Sequence, residues 1–224
     1  MSRPALVRST RQLVVACLLL ATAFAMITWN VVAGVGLARM DPTVERSVVG
    51  HRVGWETGTL KVLTWLGSGV ILWPLVGAVA VGLVLRSRRW GDGAFLVLAL
   101  AGSVVLAHVV KPVMDRPRPP TSLVHVTGSA YPSGHAMDSL AAYAALAVVV
   151  TAGRTRRHRT LAALTAGIAV AVVGWSRLYL GAHWLSDVLG GFGLSALWVS
   201  VLLLAFRLPT GPARIERYPP ARDR

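Results

Sequence analysis

The sequence predicts an all-α integral membrane bundle of six transmembrane helices. Three observations carry that expectation. Of 224 residues, 54% are hydrophobic and only 14% charged, a balance unusual for a soluble domain. The apolar residues gather in six long blocks, and no strand-like alternation competes with them. In lipid every backbone polar group must be satisfied internally, so helices are the spanning form that such blocks allow. The length suits one domain.

In chain order the apolar runs cover residues 13–37, 62–85, 94–110, 136–152, 161–179 and 184–206. A helix needs about 20 apolar residues to cross the hydrocarbon core, with a range of about 17–25. The third and fourth runs sit at the short end, so flanking polar residues are expected to extend them. The first run follows a basic stretch, as a cleaved leader would. It is longer than a usual leader core and has no clear small-x-small site before Arg39, so it is read as a retained helix. Between the first two runs, residues 41–55 are expected to form a short helix on the membrane surface. Asp41 would cap it, Pro42 would open its first turn, and Val44, Val48 and Val49 would share a face. Its simplest use is an amphipathic connector; the alternative is a lid or a lipid-entry element. The organisation is then a cytoplasmic N-terminus (1–12), a six-helix domain (13–206) and a basic, Pro-rich cytoplasmic tail (207–224).

Net charge is +14, which on its own would suit a nucleic-acid binder. The distribution argues otherwise, because the arginines cluster beside apolar runs, where they orient a membrane protein. Alternate segments starting from the N-terminus hold Arg3, Arg8 and Arg11; Arg86, Arg88 and Arg89; Arg154, Arg156, Arg157 and Arg159; and Arg207, Arg214, Arg217, Arg222 and Arg224. That is fifteen of the 23 basic residues. Of the remaining eight, Lys111, Arg116, Arg118 and Arg177 lie in motifs. Both termini are therefore expected in the cytoplasm, with the motifs on the outer face of the cytoplasmic membrane. The single Cys17 lies inside the first run, which rules out an intramolecular disulfide or a Cys-based metal site.

Three polar segments break the apolar pattern: KPVMDRPRP at 111–119, YPSGH at 131–135 and SRLYLGAHWLSD at 176–187. All lie at run ends on the same predicted side. His183 and Asp187 are spaced i, i+4, so on a helix a carboxylate would fix one imidazole nitrogen and leave the other free to attack. An interfacial His with an unrelated Asp is the bland alternative, and a zinc site lacks a second helical His or a Cys. Pro132, Ser133 and Gly134 suit a tight turn into a helix N-terminus, which favours an anion. His135 would there protonate a departing oxygen, although Ser133 could equally be a plain helix cap. Lys111, Arg118 and Arg177 offer cations for phosphoryl oxygens, or they merely snorkel to the interface. Pro112, Pro117, Pro119 and Pro120 are expected to stiffen the first segment. Asp115 and Arg116 are expected to pair with each other or to stiffen the loop. His51, His108, His125 and His158 fit no motif, and His108 is expected to hydrogen-bond within the bundle or near the site. The eight tryptophans suit interface anchors or the lining of a lipid gap.

Taken together, the segments resemble the signature of the type 2 phosphatidic acid phosphatase (PAP2) superfamily, which also holds bacterial acid phosphatases and vanadium haloperoxidases. That signature reads K-x6-R-P, P-S-G-H and S-R-x5-H-x3-D. Lys111, Arg118 and Pro119 match the first motif; Pro132, Ser133, Gly134 and His135 the second; Ser176, Arg177, His183 and Asp187 the third. The resemblance implies a metal-independent lipid phosphate phosphatase without a cofactor. His183 would be the nucleophile, forming a phosphohistidine, with Asp187 orienting it and His135 as acid and then base. Lys111, Arg118, Ser133, Gly134 and Arg177 would hold the phosphoryl oxygens; Ser176 has no assigned role. Its partners would be the bilayer and a lipid phosphate such as undecaprenyl pyrophosphate, phosphatidic acid or phosphatidylglycerol phosphate, with no nucleic acid. The competing expectations are a lipid phosphotransferase using an acceptor other than water, and a non-catalytic lipid-binding or transport protein.

Overall fold

The computed structural model describes residues 5–206, with side chains from Thr10 onward. The expected basic tail at 207–224 lies outside the described residues. The described chain is helical, in the order α1 (Ala5–Ala33), α2 (Leu37–Gly50), α3 (Gly54–Leu63), a 3-10 turn (Thr64–Gly67), α4 (Gly69–Ser87), α5 (Trp90–Met114), α6 (Gly134–Val150), α7 (Arg156–Tyr179) and α8 (Leu185–Phe206). Five of these are long and apolar enough to cross a membrane: α1 from Thr10, α4, α5, α7 and α8. The chain is a multi-pass membrane protein. The sixth expected span corresponds to α6, which is apolar but has 17 residues, about 26 Å of helix at 1.5 Å per residue.

Short α6 is also the helix the others surround. It packs against α5, α7 and α8, while α1 lies along α8 and α4 along α5. Small side chains on α6, among them Ala136, Ala141, Ala142 and Ala145, are fully buried and let its neighbours approach closely. Leu72, Val76, Phe95, Leu96 and Leu100 close on the same core from α4 and α5. The outer faces carry exposed Leu18, Leu19, Leu85, Val105, Leu164 and Ile168. In water so much exposed apolar surface would be a liability; against lipid chains it is the expected exterior.

Three local expectations are corrected. The apolar run from 62 is broken, because the chain turns at Thr64–Gly67 and α4 starts only at Gly69, with the Ser68 hydroxyl accepting from Val70 N–H at 3.3 Å. A Cβ on Gly67 would lie 2.5 Å from Val173 and 3.1 Å from the His135 carbonyl. The break therefore brings a bare backbone against the start of α6. Second, Pro112 is not in a loop but in the last turn of α5, where the run is long enough to carry it. Third, Asp41 does not cap the surface helix. That helix, α2, begins four residues earlier, where the Asn30 side chain at the end of α1 accepts from Leu37 N–H at 2.9 Å. The turn requires glycine: Gly36 has φ +50°, and a Cβ there would fall 1.9 Å from the Asn30 oxygen. Asp41 lies inside α2, 2% exposed. His108 is exposed and bonds to its own helix, to the Val104 carbonyl one turn back in α5 at 2.7 Å, rather than across the bundle.

Close helix contact also aims the functional end. On α8, a Cβ at Gly190 would lie 2.4 Å from the Tyr131 ring, and one at Gly191 2.9 Å from the Ser133 carbonyl. Tyr131 is held from the other side by a 2.8 Å hydrogen bond with Thr28 of α1. Gly190→Ala is expected to overpack this contact and destabilise the protein by about 1–3 kcal/mol. Gly77→Ala in α4, where a Cβ meets open space, should be neutral or slightly stabilising. Thermal unfolding of both variants in detergent checks the contrast.

Candidate active site

The end of α5, the start of α6, the end of α7 and the start of α8 meet at one end of the bundle, and they carry the three polar segments. The arginine clusters at 86–89 and 154–159 lie at α4–α5 and α6–α7 connections, at the other end. The backbone stitches the segments together. Ala130 N–H donates to the Arg116 carbonyl at 2.8 Å, Ser133 N–H to the Asp187 carbonyl at 3.0 Å, and Leu123 N–H to the Leu180 carbonyl at 2.8 Å.

His183 is 5% exposed. It sits two residues before α8 rather than on it, so the expected shared helix face does not apply. Its Nδ1 lies 2.8 Å from the Ala130 carbonyl, and only a protonated Nδ1 can donate to that oxygen. This leaves the Nε2 lone pair available. The nearest Asp187 oxygen is 3.6 Å from Nδ1, a charge contact beyond hydrogen-bond range. Burial pushes the His183 pKa down to about 4; Asp187 opposes the shift, and Arg177 and Arg118 add to it. At neutral pH the ring is uncharged.

Around Nε2 stand cations and open donors. Arg118 lies 3.2 Å from Nε2 through one guanidinium nitrogen, which also donates to the Ala182 carbonyl at 2.8 Å. Lys111 and Arg118 both donate to the Ser129 carbonyl, at 2.9 and 3.2 Å. Arg177, 3% exposed, is anchored by a 2.9 Å bond to the Thr64 hydroxyl. Its Nε and the Ser133 hydroxyl are both buried, and neither finds a hydrogen-bond partner among the described residues. Ser133 stands at the N-cap position of α6 but makes no capping bond through its side chain, so the plain-cap reading does not describe it. Two orphaned buried donors beside the free N–H groups of a helix start are what an anion would complete. Gly134 and His135 form the first turn of α6, and His135 is an electrostatic neighbour of His183, Lys111 and Arg177. Ser176 is buried and donates to the Val173 carbonyl at 2.6 Å within α7. Among the described residues no group of three His, Cys, Asp or Glu side chains converges as a metal-binding set.

Asp187 is fully buried. One oxygen accepts Trp184 N–H at 2.8 Å, closing the first turn of α8, and the other accepts Arg116 at 2.5 Å. The expected Asp115–Arg116 pair is therefore replaced. Asp115 caps α5 with φ +35°, while Arg116 turns inward to Asp187 and, at 2.7 Å, to Asp41. The sequence reading gave Arg116 and Asp41 only local duties, a pair with a neighbour and a helix cap, and missed their contact with each other and with Asp187.

Known proteins share this sequence pattern and fold. A family model described as the PAP2 superfamily matches residues 92–209. Phosphatidylglycerophosphatase B of Bacillus subtilis (strain 168) is 31% identical over 181 residues, 80% of this chain and 86% of that protein. An undecaprenyl-diphosphatase of Sulfolobus acidocaldarius is 34% identical over 172 residues, 73% of this chain and 76% of its own length. The crystal structure of a transmembrane PAP2-type phosphatidylglycerolphosphate phosphatase from Bacillus subtilis superposes with a TM-score of 0.70 at 29% identity, covering 86% of this chain and 93% of that one. Aquifex aeolicus LpxE shares the fold alone, with a TM-score of 0.57 at 22% identity over 74% of this chain and 95% of its own.

The state of His183 makes a prediction. The acid limb of kcat/KM, after allowance for the substrate's own phosphate ionisation, should have its midpoint near pH 4, because activity is lost only as Nε2 takes a proton. A midpoint near the ordinary histidine value of 6.5 would show that the ring is not held neutral by burial.

Proposed function

The chain belongs to the PAP2 superfamily and is a membrane lipid phosphatase, a hydrolase of phosphoric monoesters or diphosphates, and we propose that it works through a phosphohistidine on His183. The observation that supports this most directly is the set of unmatched groups around Nε2: an uncharged imidazole with its proton on the far nitrogen, two orphaned buried donors, and three cations.

In the first step the Nε2 lone pair forms a bond to phosphorus, and the bond from phosphorus to the leaving oxygen breaks. His135, protonated once the anionic phosphate is bound, delivers that proton to the departing oxygen and becomes neutral, so a lipid alcohol or a lipid monophosphate departs. Arg118, Arg177, Lys111, the Ser133 hydroxyl and the Gly134 N–H take the charge on the equatorial oxygens. Arg118 now spends one donor near Nε2 and would exchange it for a phosphoryl oxygen. In the second step water attacks phosphorus, His135 takes its proton, and the N–P bond breaks. Inorganic phosphate leaves and His183 returns neutral. The positive charge that His183 carries in between is stabilised by Asp187 at 3.6 Å.

The substrate is a lipid phosphate presented at the outer face of the cytoplasmic membrane, with both termini inside. The separation of the polar segments from the arginine clusters at 86–89 and 154–159 supports that orientation. The two named relatives act on a phosphomonoester lipid and on a polyprenyl diphosphate, and those two chemistries bound the choice. Because the side-chain cations of Lys111, Arg118 and Arg177 supply the charge, no divalent ion is required.

Release of inorganic phosphate in detergent with EDTA, from undecaprenyl pyrophosphate, phosphatidic acid and phosphatidylglycerol phosphate in parallel, tests the reading. Full activity in EDTA is expected, with one lipid preferred. His183→Ala should lose activity on the order of 10³-fold or more while still folding. Dependence on an added divalent cation, or wild-type turnover in His183→Ala, would overturn the mechanism.

A further inference from the structure

We infer that Asp41, on the surface helix α2, is a positioning residue for the reaction, acting on His183 through Arg116 and Asp187. The inference rests on the reading of His183 as nucleophile and concerns what keeps Asp187 useful to it.

Asp187 has a cation of its own. Arg116 reaches it at 2.5 Å, closer than His183 at 3.6 Å. A carboxylate paired with one guanidinium is formally neutral. By itself such a pair would offer little to a charge developing on the imidazole, which also faces the cations Arg118 and Arg177 and the neighbouring His135. Asp41 changes that balance. Its Oδ2 accepts the other end of the same guanidinium at 2.7 Å. Two buried carboxylates then share one Arg116, and the cluster carries a formal charge of −1 next to His183.

Asp41 also fixes where the charge sits. Its Oδ1 accepts Ser186 N–H at 3.0 Å, and its Oδ2 accepts the Ser186 hydroxyl at 2.5 Å. It thereby satisfies an orphan donor in the first turn of α8 from a position 145 residues away in sequence. That same turn carries Asp187. Arg116 bonds Ser186 as well, at 2.6 Å, and lies over the Trp184 ring at 5.9 Å. The surface helix is thus joined to the nucleophile by an unbroken chain of buried polar contacts.

A purely structural brace and a charge-sharing partner predict opposite epistasis. In Asp41→Asn the whole of Arg116 falls to Asp187, and the rate of phosphohistidine formation in a single turnover should drop by about 10- to 100-fold, the scale of one partly screened unit charge at several ångströms. KM should change little. Adding Arg116→Gln to Asp41→Asn frees the Asp187 charge and should recover part of that rate. Arg116→Gln alone leaves two buried carboxylates without their cation and should be the least stable of the three. Asp41→Glu, which keeps the charge, should stay above Asp41→Asn. A double variant no faster than Asp41→Asn, or Asp41→Glu no better than Asp41→Asn, would overturn the inference. Should Asp41→Asn fail to fold in detergent, the double variant, whose cluster again carries a formal charge of −1, must form phosphohistidine within about 10-fold of the wild-type rate; if it does not, the inference falls. The absence of any phosphohistidine in the wild-type protein would instead refute the nucleophile assignment on which it rests.

Discussion

The guanidinium of Arg116 lies between Asp41 and Asp187, and it joins parts of the chain that nothing local would bring together. It leaves the α5–α6 connection, reaches α2 with one nitrogen and α8 with the other, and is closed over by Trp184. Removing three charged groups from water is costly, and the mutual attraction of a buried pair often only offsets that cost. Here the remaining hydrogen-bonding capacity is also used: Ser186 contributes its N–H and hydroxyl, Trp184 its N–H. A network satisfied to this degree is rigid, and breaking one partner would leave another charge buried alone. The position of Asp187, and with it the surroundings of His183, follows from that constraint.

Around this network the membrane dictates the architecture. Helices are the form that spans lipid, and antiparallel neighbours return their ends to the same surface. The end of α5, the start of α6, the end of α7 and the start of α8 therefore collect at one level without any special device. Close approach then depends on what α6 and α8 lack. The alanines of α6 and the glycine pair of α8 let Tyr131 and Ser133 seat against α8. Tyr131, bonded to Thr28, couples the first helix to the same loop. Ser133 Oγ and Arg177 Nε are both buried there without a hydrogen-bond partner among the described residues.

Much of this was legible in the sequence, for definite reasons. Apolar length reports membrane helices because lipid admits few alternatives, so α1, α5, α7 and α8 appear close to where the runs lie. The three segments were legible because charged and polar residues stand out at the ends of apolar runs. Lys111, Arg118, Ser133, His135, Arg177, His183 and Asp187 do converge at one end of the bundle. What was hidden depends on distant partners. Asp41 followed by Pro42 has the local look of a helix start, yet Asn30 supplies the cap earlier and Asp41 answers to residues beyond position 115. Arg116 beside Asp115 has the look of a local pair, and no neighbour in sequence reveals that it points inward. The break at Thr64–Gly67 interrupts an otherwise apolar run for the sake of contact with α6, which hydropathy cannot register. His183 and Asp187 keep helical spacing but not a helix, since the turn of α8 starts between them.

We propose that the three segments form one anion site with His183 Nε2 as the attacking atom. A crystal structure of the protein soaked with vanadate in EDTA tests it most directly, because a five-coordinate vanadate imitates phosphorus in transfer and binds where the transition state would. The account predicts vanadium bonded to His183 Nε2, with its equatorial oxygens on the Ser133 hydroxyl and the guanidinium groups of Arg118 and Arg177. Vanadium bonded to another residue, or vanadate bound away from His183 with Ser133 and Arg177 still unpartnered, would contradict it.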